Sequence, residues 1–319
     1  MNTTQVNILF LGGAKRVSLA RHIIDEGKRK GLEVRIFSYE LDSRVAIASV
    51  GTVIVGLRWN DAGLMADLQR VVTDNGITMV LPFVDPAIRV AAELSTLMPE
   101  LFIPVSSREV CDVMFDKVLS ARWFATHGIA QPHCYDSPTE FRYPVILNPR
   151  RGSASKGIIV CRSSADLPTD VNFGDYLAQD YIDNHTEITV DCYVNSRGEA
   201  TSVVPRVRLE TAGGEAVRSL TVRSPEVIAE ARKIISSGDF RGPITIQFLK
   251  DNESRTIYVM EINPRFGGGV VTGIGAQSGI LSMLLDEYLG KDVEANDSWR
   301  DNTLMVRYFN EVIFYADCD

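Results

Sequence analysis

A carboxylate and an amide oxygen stand two residues apart in Ile257-Tyr258-Val259-Met260-Glu261-Ile262-Asn263-Pro264-Arg265-Phe266. In an extended strand that spacing puts Glu261 and Asn263 on one face, about 7 Å apart at ~3.3 Å per residue. The same period assigns Ile257 and Val259 to that face, which begins apolar and ends polar. Two hard oxygen donors side by side suit Mg²⁺ bound together with nucleotide phosphates, with Mn²⁺ as a substitute. Arg265 continues the face, where a guanidinium can brace a phosphoryl group. Gln247, in Thr245-Ile246-Gln247-Phe248, adds a third oxygen if its strand is the hairpin partner. A hairpin loop of three or five residues sets Gln247 opposite Val259, on the face of Glu261. A loop of four sets it opposite Tyr258, on the other face unless a bulge restores the register.

A second constellation lies upstream. Two apolar runs flank the small and basic residues of Asn148-Pro149-Arg150-Arg151-Gly152-Ser153-Ala154-Ser155-Lys156-Gly157. Backbone N–H groups in such a loop can cradle phosphate oxygens. Ser153 and Ser155 add hydroxyls; Arg150, Arg151 and Lys156 add charge. A generic surface hairpin would read the same way. Asp116 is placed to cap a helix from Lys117 to about His127, which leaves Lys117 in the first turn, against the helix dipole. Arg206 and Arg208 alternate along one strand face, which is either a solvated face or part of a pocket for an acidic group. Asp85 either binds a substrate amine or caps the helix that follows it. Gly12-Gly13-Ala14-Lys15-Arg16 lacks the GxGxxG spacing and reads as a tight strand-to-helix turn.

The elements that must carry these residues fall into three passages. Residues 1–105 alternate strand candidates (Val6–Leu11, Val34–Ser38, Thr52–Val55, Met79–Pro82, Phe102–Val105) with helical stretches at 17–30, 61–73 and 86–97. That alternation predicts a parallel, Rossmann-like α/β sheet with ligands at the strand carboxyl ends. Residues 106–180 carry the Lys117 helix and the 143–160 hairpin. Residues 181–319 read as a largely antiparallel α+β unit. In it Ile188, Val190, Cys192 and Val194 face one side, and Glu187, Thr189, Asp191 and Tyr193 face the other.

Length and composition narrow the function classes. The 319 residues suffice for about two domains. A net charge of −8 argues against a nucleic-acid or anionic-membrane partner. No apolar run reaches the ~20 residues of a membrane span, and no basic leader precedes Val6–Leu11. The five cysteines are widely spaced and suit a reducing, cytoplasmic setting. The four histidines have no sequence partner and are assigned no catalytic part. Self-association as a homodimer is left open.

Taken together these pieces resemble the ATP-grasp ligases, and among them the branch of the carbamoyl-phosphate synthase large subunit. Glu-Ile-Asn-Pro-Arg over 261–265, with Gln247 fourteen residues before Glu261, resembles the metal-binding signature. Asp116-Lys117 resembles the opening of the ATP-binding segment, and 143–157 the phosphate-covering hairpin. Gln179-Asp180-Tyr181-Ile182 resembles the linker that holds adenine, and Glu187 the ribose-binding glutamate. The resemblance implies a pre-ATP-grasp domain over 1–105 and ATP-grasp halves over 106–180 and 181–319. It also implies ADP-forming ligation of a small carboxylate to an amine or ammonia, through an acyl phosphate. Three positions depart from the pattern: Asn148 replaces a lysine, Ala154 a glycine and Asp180 a glutamate. A bicarbonate-phosphorylating subunit that needs a partner is one alternative. An ATP-binding regulatory protein without turnover, motivated by Asn148, is another.

Overall fold

The run Val6-Asn7-Ile8-Leu9-Phe10-Leu11 barely alternates because both of its faces are buried. It lies in β1 (Thr4–Leu11) of a computed structural model that describes residues 4–152 and 156–315. After α1 (Val17–Arg29) come β2 (Leu32–Glu40), β3 (Thr52–Val55), α2 (Leu64–Asp74), β4 (Met79–Pro82) and α3 (Asp85–Leu97). The four strands form a parallel sheet in the order β3-β2-β1-β4. Ile8 and Phe10 pack on the α1 side, Leu9 and Leu11 on the side of α2 and α3. The expected strand at Phe102–Val105 is reduced to one parallel bridge, Met79 to Phe102. Pro104 has no N–H with which to continue a ladder.

Two helices follow, α4 (Arg108–Phe115) and α5 (Lys117–Thr126). Only α5 was expected. Asp116 breaks the chain between them with an extended backbone, and its Oδ1 accepts from the Val118 and Leu119 N–H groups at 3.1 and 3.2 Å. The expected cap is therefore present.

A four-stranded antiparallel sheet is built from β5 (Cys134–Tyr135), β6 (Val145–Pro149), β7 (Ile159–Cys161) and β8 (Tyr176–Asp180), in the order β5-β8-β6-β7. A larger unit comprises β9 (His185–Val194), β10 (Ala200–Ala212), β11 (Glu215–Thr221), α6 (Pro225–Ser236), β12 (Gly242–Asp251), β13 (Ile257–Asn263), α7 (Val271–Gly275), α8 (Ile280–Tyr288) and β14 (Leu304–Val306). Its six strands run antiparallel in the order β13-β12-β9-β10-β11-β14. The alternation read in β9 holds: Ile188, Val190, Cys192 and Val194 join Ile244, Ile246 and Phe248 in a core that α6 covers. The opposite face is polar and forms the floor of a cleft.

The first sheet is locked to this unit. Phe266, Val270, Ile280 and Leu284 share one apolar cluster with Ile8, Phe10, Leu19 and Ile23. The glycine-rich turn after Arg265 is thereby held between the two. Among the described residues no helix is long and apolar enough to cross a membrane. The cysteines at 111, 134, 161 and 192 are free thiols.

Candidate active site

The β12–β13 hairpin turns over 252–255 and is closed by the Asp251 N–H on the Thr256 carbonyl at 2.9 Å. Near the turn Lys250 pairs with Ile257, Leu249 with Tyr258 and Phe248 with Val259. The loop has four residues, as in the second expectation, but closes one residue further along each strand than that register placed it, so neither expected pairing of Gln247 occurs. Continued unbroken, this register would set Gln247 opposite Met260, on the face away from Glu261. A bulge at this point inserts one residue, so that Gln247 pairs with Glu261, Ile246 with Ile262 and Thr245 with Asn263. The same bulge corrects the single-face reading of β13. Val259 lies in the core and Ile257 packs against it, while Glu261 and Asn263 open to the cleft. One extra residue moves the pleat by one step, and every side chain beyond it changes face.

The result is an ordered polar floor. Glu261, Gln247, Thr189 and Arg206 stand abreast on β13, β12, β9 and β10. Asn263, Thr245 and Asp191 form the next row. The Asn263 amide donates to Glu261 Oε1 at 2.6 Å, so the two expected metal donors are already in contact.

On one side of this floor lies a cavity of about 340 Å³. Lys117, Asn148 and Lys156 reach it from α5, β6 and the loop after β6. Lys117 Nζ donates to the Gly152 carbonyl at 2.9 Å, which ties the helix start to that loop. Asn148 is 7% exposed and, among the described residues, its side chain has no hydrogen-bond partner. Ser153 and Ser155 lie outside the described residues. The apolar flank is Ile146, Leu177, Ile188, Phe248 and Met260, a slot suited to a planar base. At its edge the Asp180 N–H is bonded to the His133 carbonyl and the Tyr181 N–H to the Pro144 carbonyl. The Ile182 N–H has no backbone acceptor among the described residues. Gln179 is anchored on the Pro132 carbonyl at 3.4 Å, and the Tyr135 hydroxyl donates to Asp180 at 2.5 Å. Glu187 lines the same cavity and meets Arg208 at 3.0 Å.

Arg150, expected at the nucleotide, is placed elsewhere. Its Nε donates to both Asp116 oxygens, at 2.8 and 2.6 Å, and it does not line this cavity. The Asp116 carboxylate is almost wholly buried and needs a counter-charge.

A second cavity, of about 360 Å³, lies on the other side of the floor. Thr189, Arg208, Gln247 and Glu261 line both cavities. Here sequence reading placed charges correctly but misjudged their freedom. Arg206 Nε donates to Asp191 at 2.7 Å, and both side chains are 3% exposed. A Cβ on Gly269 would come within 2.5 Å of the Arg206 guanidinium, so the chain passes directly over it. Arg206 is thus a brace beneath the glycine turn rather than a free cation for a reacting group. Arg265 donates to Asp85 at 3.0 Å and to the Phe266 carbonyl at 3.2 Å. Asp85 is neither a cap nor a free amine ligand: Val84 takes the cap position of α3, and the Asp85 carboxylate is engaged by Arg265. Arg208 adds the Gly214 carbonyl, at 3.3 Å, to its bond with Glu187.

The Gly12-Gly13 turn is filled by the protein itself. The Glu40 carboxylate lies beside the Gly13 and Ala14 backbone and accepts from Ser38 Oγ at 2.6 Å. Burial nevertheless raises the Glu40 pKa. Sequence reading missed Arg16, Glu215 and the Gly267–Gly269 turn as parts of the site. The glycine run was the one available signal. Arg16 and Glu215 are local to nothing until the sheets meet.

A family described as "ATP-grasp in the biosynthetic pathway with Ter operon" matches residues 172–312. The protein has the ATP-grasp fold. The biotin carboxylase domain of Hydrogenobacter thermophilus 2-oxoglutarate carboxylase, a dimer in complex with MgADP and bicarbonate, superposes with a TM-score of 0.72 at 16% identity, over 93% of this chain and 73% of that one. N5-carboxyaminoimidazole synthetase from Staphylococcus aureus, complexed with ADP, gives 0.73 at 16% identity, over 92% and 80%. L-amino acid ligase from Bacillus licheniformis gives 0.69 at 16% identity, over 90% and 75%. No curated protein matches the chain by sequence. In this ATP-grasp chain the bulged β12–β13 hairpin and the slot beside β8 meet at one floor.

Proposed function

We propose that the protein is an ADP-forming ligase that joins a carboxylate to an amine or to ammonia through an acyl phosphate. The observation that carries this is the pair of cavities sharing Thr189, Arg208, Gln247 and Glu261 as a common wall. One has an apolar slot and cations for a nucleotide; the other is lined by charge for an acceptor. A phosphoryl group passing between them crosses the Glu261 row.

The residues divide the work. The slot and the Ile182 N–H receive the base, with Gln179 and Asp180 holding the linker that presents it. Glu187 faces the sugar. Lys117 and Lys156 neutralise phosphate charge, with Asn148 as a neutral donor beside them. Gln247, Glu261 and Asn263 would hold Mg²⁺ or Mn²⁺, and their oxygen donors fit a hard cation. Among the described residues no three His, Cys, Asp or Glu side chains converge, so an ion there also needs the nucleotide's own oxygens. Such an ion, when bound, supplies charge neutralisation at the transferring phosphoryl group. Arg265, fixed by Asp85, orients the acceptor oxygen. The amine then attacks the acyl phosphate and phosphate leaves, with no protein nucleophile required. Domain boundaries near 105 and 180 belong to the same reading. So does a homodimer, in line with the dimeric H. thermophilus neighbour.

The test is ADP release from ATP against pooled carboxylates combined with pooled amines. Turnover that requires one acid and one amine supports ligation. Turnover with bicarbonate alone favours the carbamoyl-phosphate-synthase-like alternative, which the bicarbonate-bound neighbour makes worth testing. Tight ATP binding with no ADP release under any pool removes the ligase reading in favour of a regulatory ATP binder.

A further inference from the structure

Counting charge in the acceptor cavity leaves one group over. Asp191 meets Arg206, Asp85 meets Arg265 and Glu187 meets Arg208, each within 3.0 Å. Glu261 is committed to Asn263 and the ion site. The remaining cluster is Arg16 and Glu215, which line this cavity, and Arg307, which lines an adjoining one together with Arg16: two guanidiniums to one carboxylate. Arg307 is well supplied: it donates to the Gly268 carbonyl at 2.8 Å and the Ala216 carbonyl at 3.2 Å, and lies 3.3 Å from Glu215. Arg16 is not. Among the described residues its one ion pair is Glu215 at 3.5 Å and its side chain makes no hydrogen bond.

Arg16 is also held in place. Its side chain is only 15% exposed and its guanidinium lies 6.0 Å from the Phe83 ring centroid. A Cβ on Gly268 would come within 3.1 Å of its Nη1, so the glycine turn leaves room for it. Burial lowers its pKa, against the opposing pull of Glu215. A guanidinium has five N–H donors in a planar fork, matched to carboxylate or phosphate oxygens. Holding one out of water with its donors unmet is costly, and an anionic ligand removes that cost.

We propose that Arg16 binds a second anionic group of the acid substrate, so that the substrate class is a small diacid or phospho-acid rather than a monocarboxylate. This rests on the ligase reading for the role of the first carboxylate, the one that receives phosphate. The second group is fixed by the first sheet through Arg16, and the reacting one by the ATP-grasp sheet through Arg265. The acid must therefore span the junction of the two units. A cavity of about 360 Å³ limits it to a small molecule.

Calorimetry on the full chain, saturated with a non-hydrolysable ATP analogue, tests this with succinate, 3-phosphoglycerate and the monoanion butyrate. At least one of the two acids that carry a second anionic group, called dianions here for short, should bind tenfold or more tightly than butyrate. Arg16→Gln should abolish that preference, and Arg16→Lys should restore part of it. Affinity for the ATP analogue, read in the same samples, reports whether each variant is folded. Preference for succinate assigns a carboxylate, and preference for 3-phosphoglycerate a phosphate. Absence of any dianion preference overturns the proposal, as does a preference that survives Arg16→Gln. The ligase reading fails separately: dianion binding that depends on Arg16, without ADP release from any acid and amine, leaves the anion site standing and removes the reaction.

Discussion

The two cavities share a wall but are built on opposite principles. On the nucleotide side, among the described residues, Asn148 has no protein partner, Lys117 meets only a carbonyl, and the Ile182 N–H is unbonded in the backbone. Those groups wait for a ligand that brings its own charge and acceptors. On the acceptor side the arginines are already paired: Arg206 has Asp191 and Arg265 has Asp85, while Arg208, which lines both cavities, meets Glu187 of the nucleotide side. A cavity of unpaired donors spends stability to gain affinity. A cavity of paired charges is shaped first and binds second, because each pair fixes a backbone segment. Changes on the first side should therefore weaken binding, and changes on the second should weaken the fold.

The largest expected effect breaks the paired side. Arg206→Met leaves the Asp191 carboxylate buried without a counter-charge and should cost ~3–5 kcal/mol of unfolding free energy. Urea denaturation measures it, and a loss below ~1 kcal/mol would show that the pair does not hold the floor. Next comes the shared wall. Glu261→Gln keeps shape and removes charge, so Mg²⁺-dependent ATP turnover should fall by about a hundredfold or more at an unchanged denaturation midpoint. Turnover within threefold of the parent would place the ion elsewhere. On the open side, Lys117→Ala should weaken ATP by ~1.5–3 kcal/mol, the loss of a charge-assisted contact, with little change in stability. Unchanged affinity by calorimetry removes Lys117 from the site. The smallest effect sharpens the contrast. Asn148→Lys adds a cation where an amide stands, and should tighten ATP by about 1 kcal/mol. If affinity does not rise, Lys117 and Lys156 already satisfy the phosphates.

Much of the architecture was legible because it rests on local pattern. The doubly buried run of β1, the alternation of β9 and the Asp116 cap each depend on residues a few positions apart, and the structure has all three. The pairing of Glu261 with Asn263 was legible as residue types, since the two share a face by period alone. Gln247 was not: its place depends on a turn that closes as 252–255 and on one bulged residue, features that many sequences permit equally. Arg150, Arg206 and Asp85 show the other limit. Their types announced charge chemistry, but their partners, Asp116, Asp191 and Arg265, are 34, 15 and 180 positions away. A lone charge reads as free until the fold brings its counter-ion. The sequence by itself determined the faces of the unbulged strand β9, the start of α5 and the kinds of donor at the floor, because backbone periodicity and capping act over a few residues. The tertiary structure alone decided the hairpin register, which arginines are already paired, and that Arg16, just before α1, stands in the cavity where the two units meet. Those follow from packing between distant segments, where burial sets the strength of every charge.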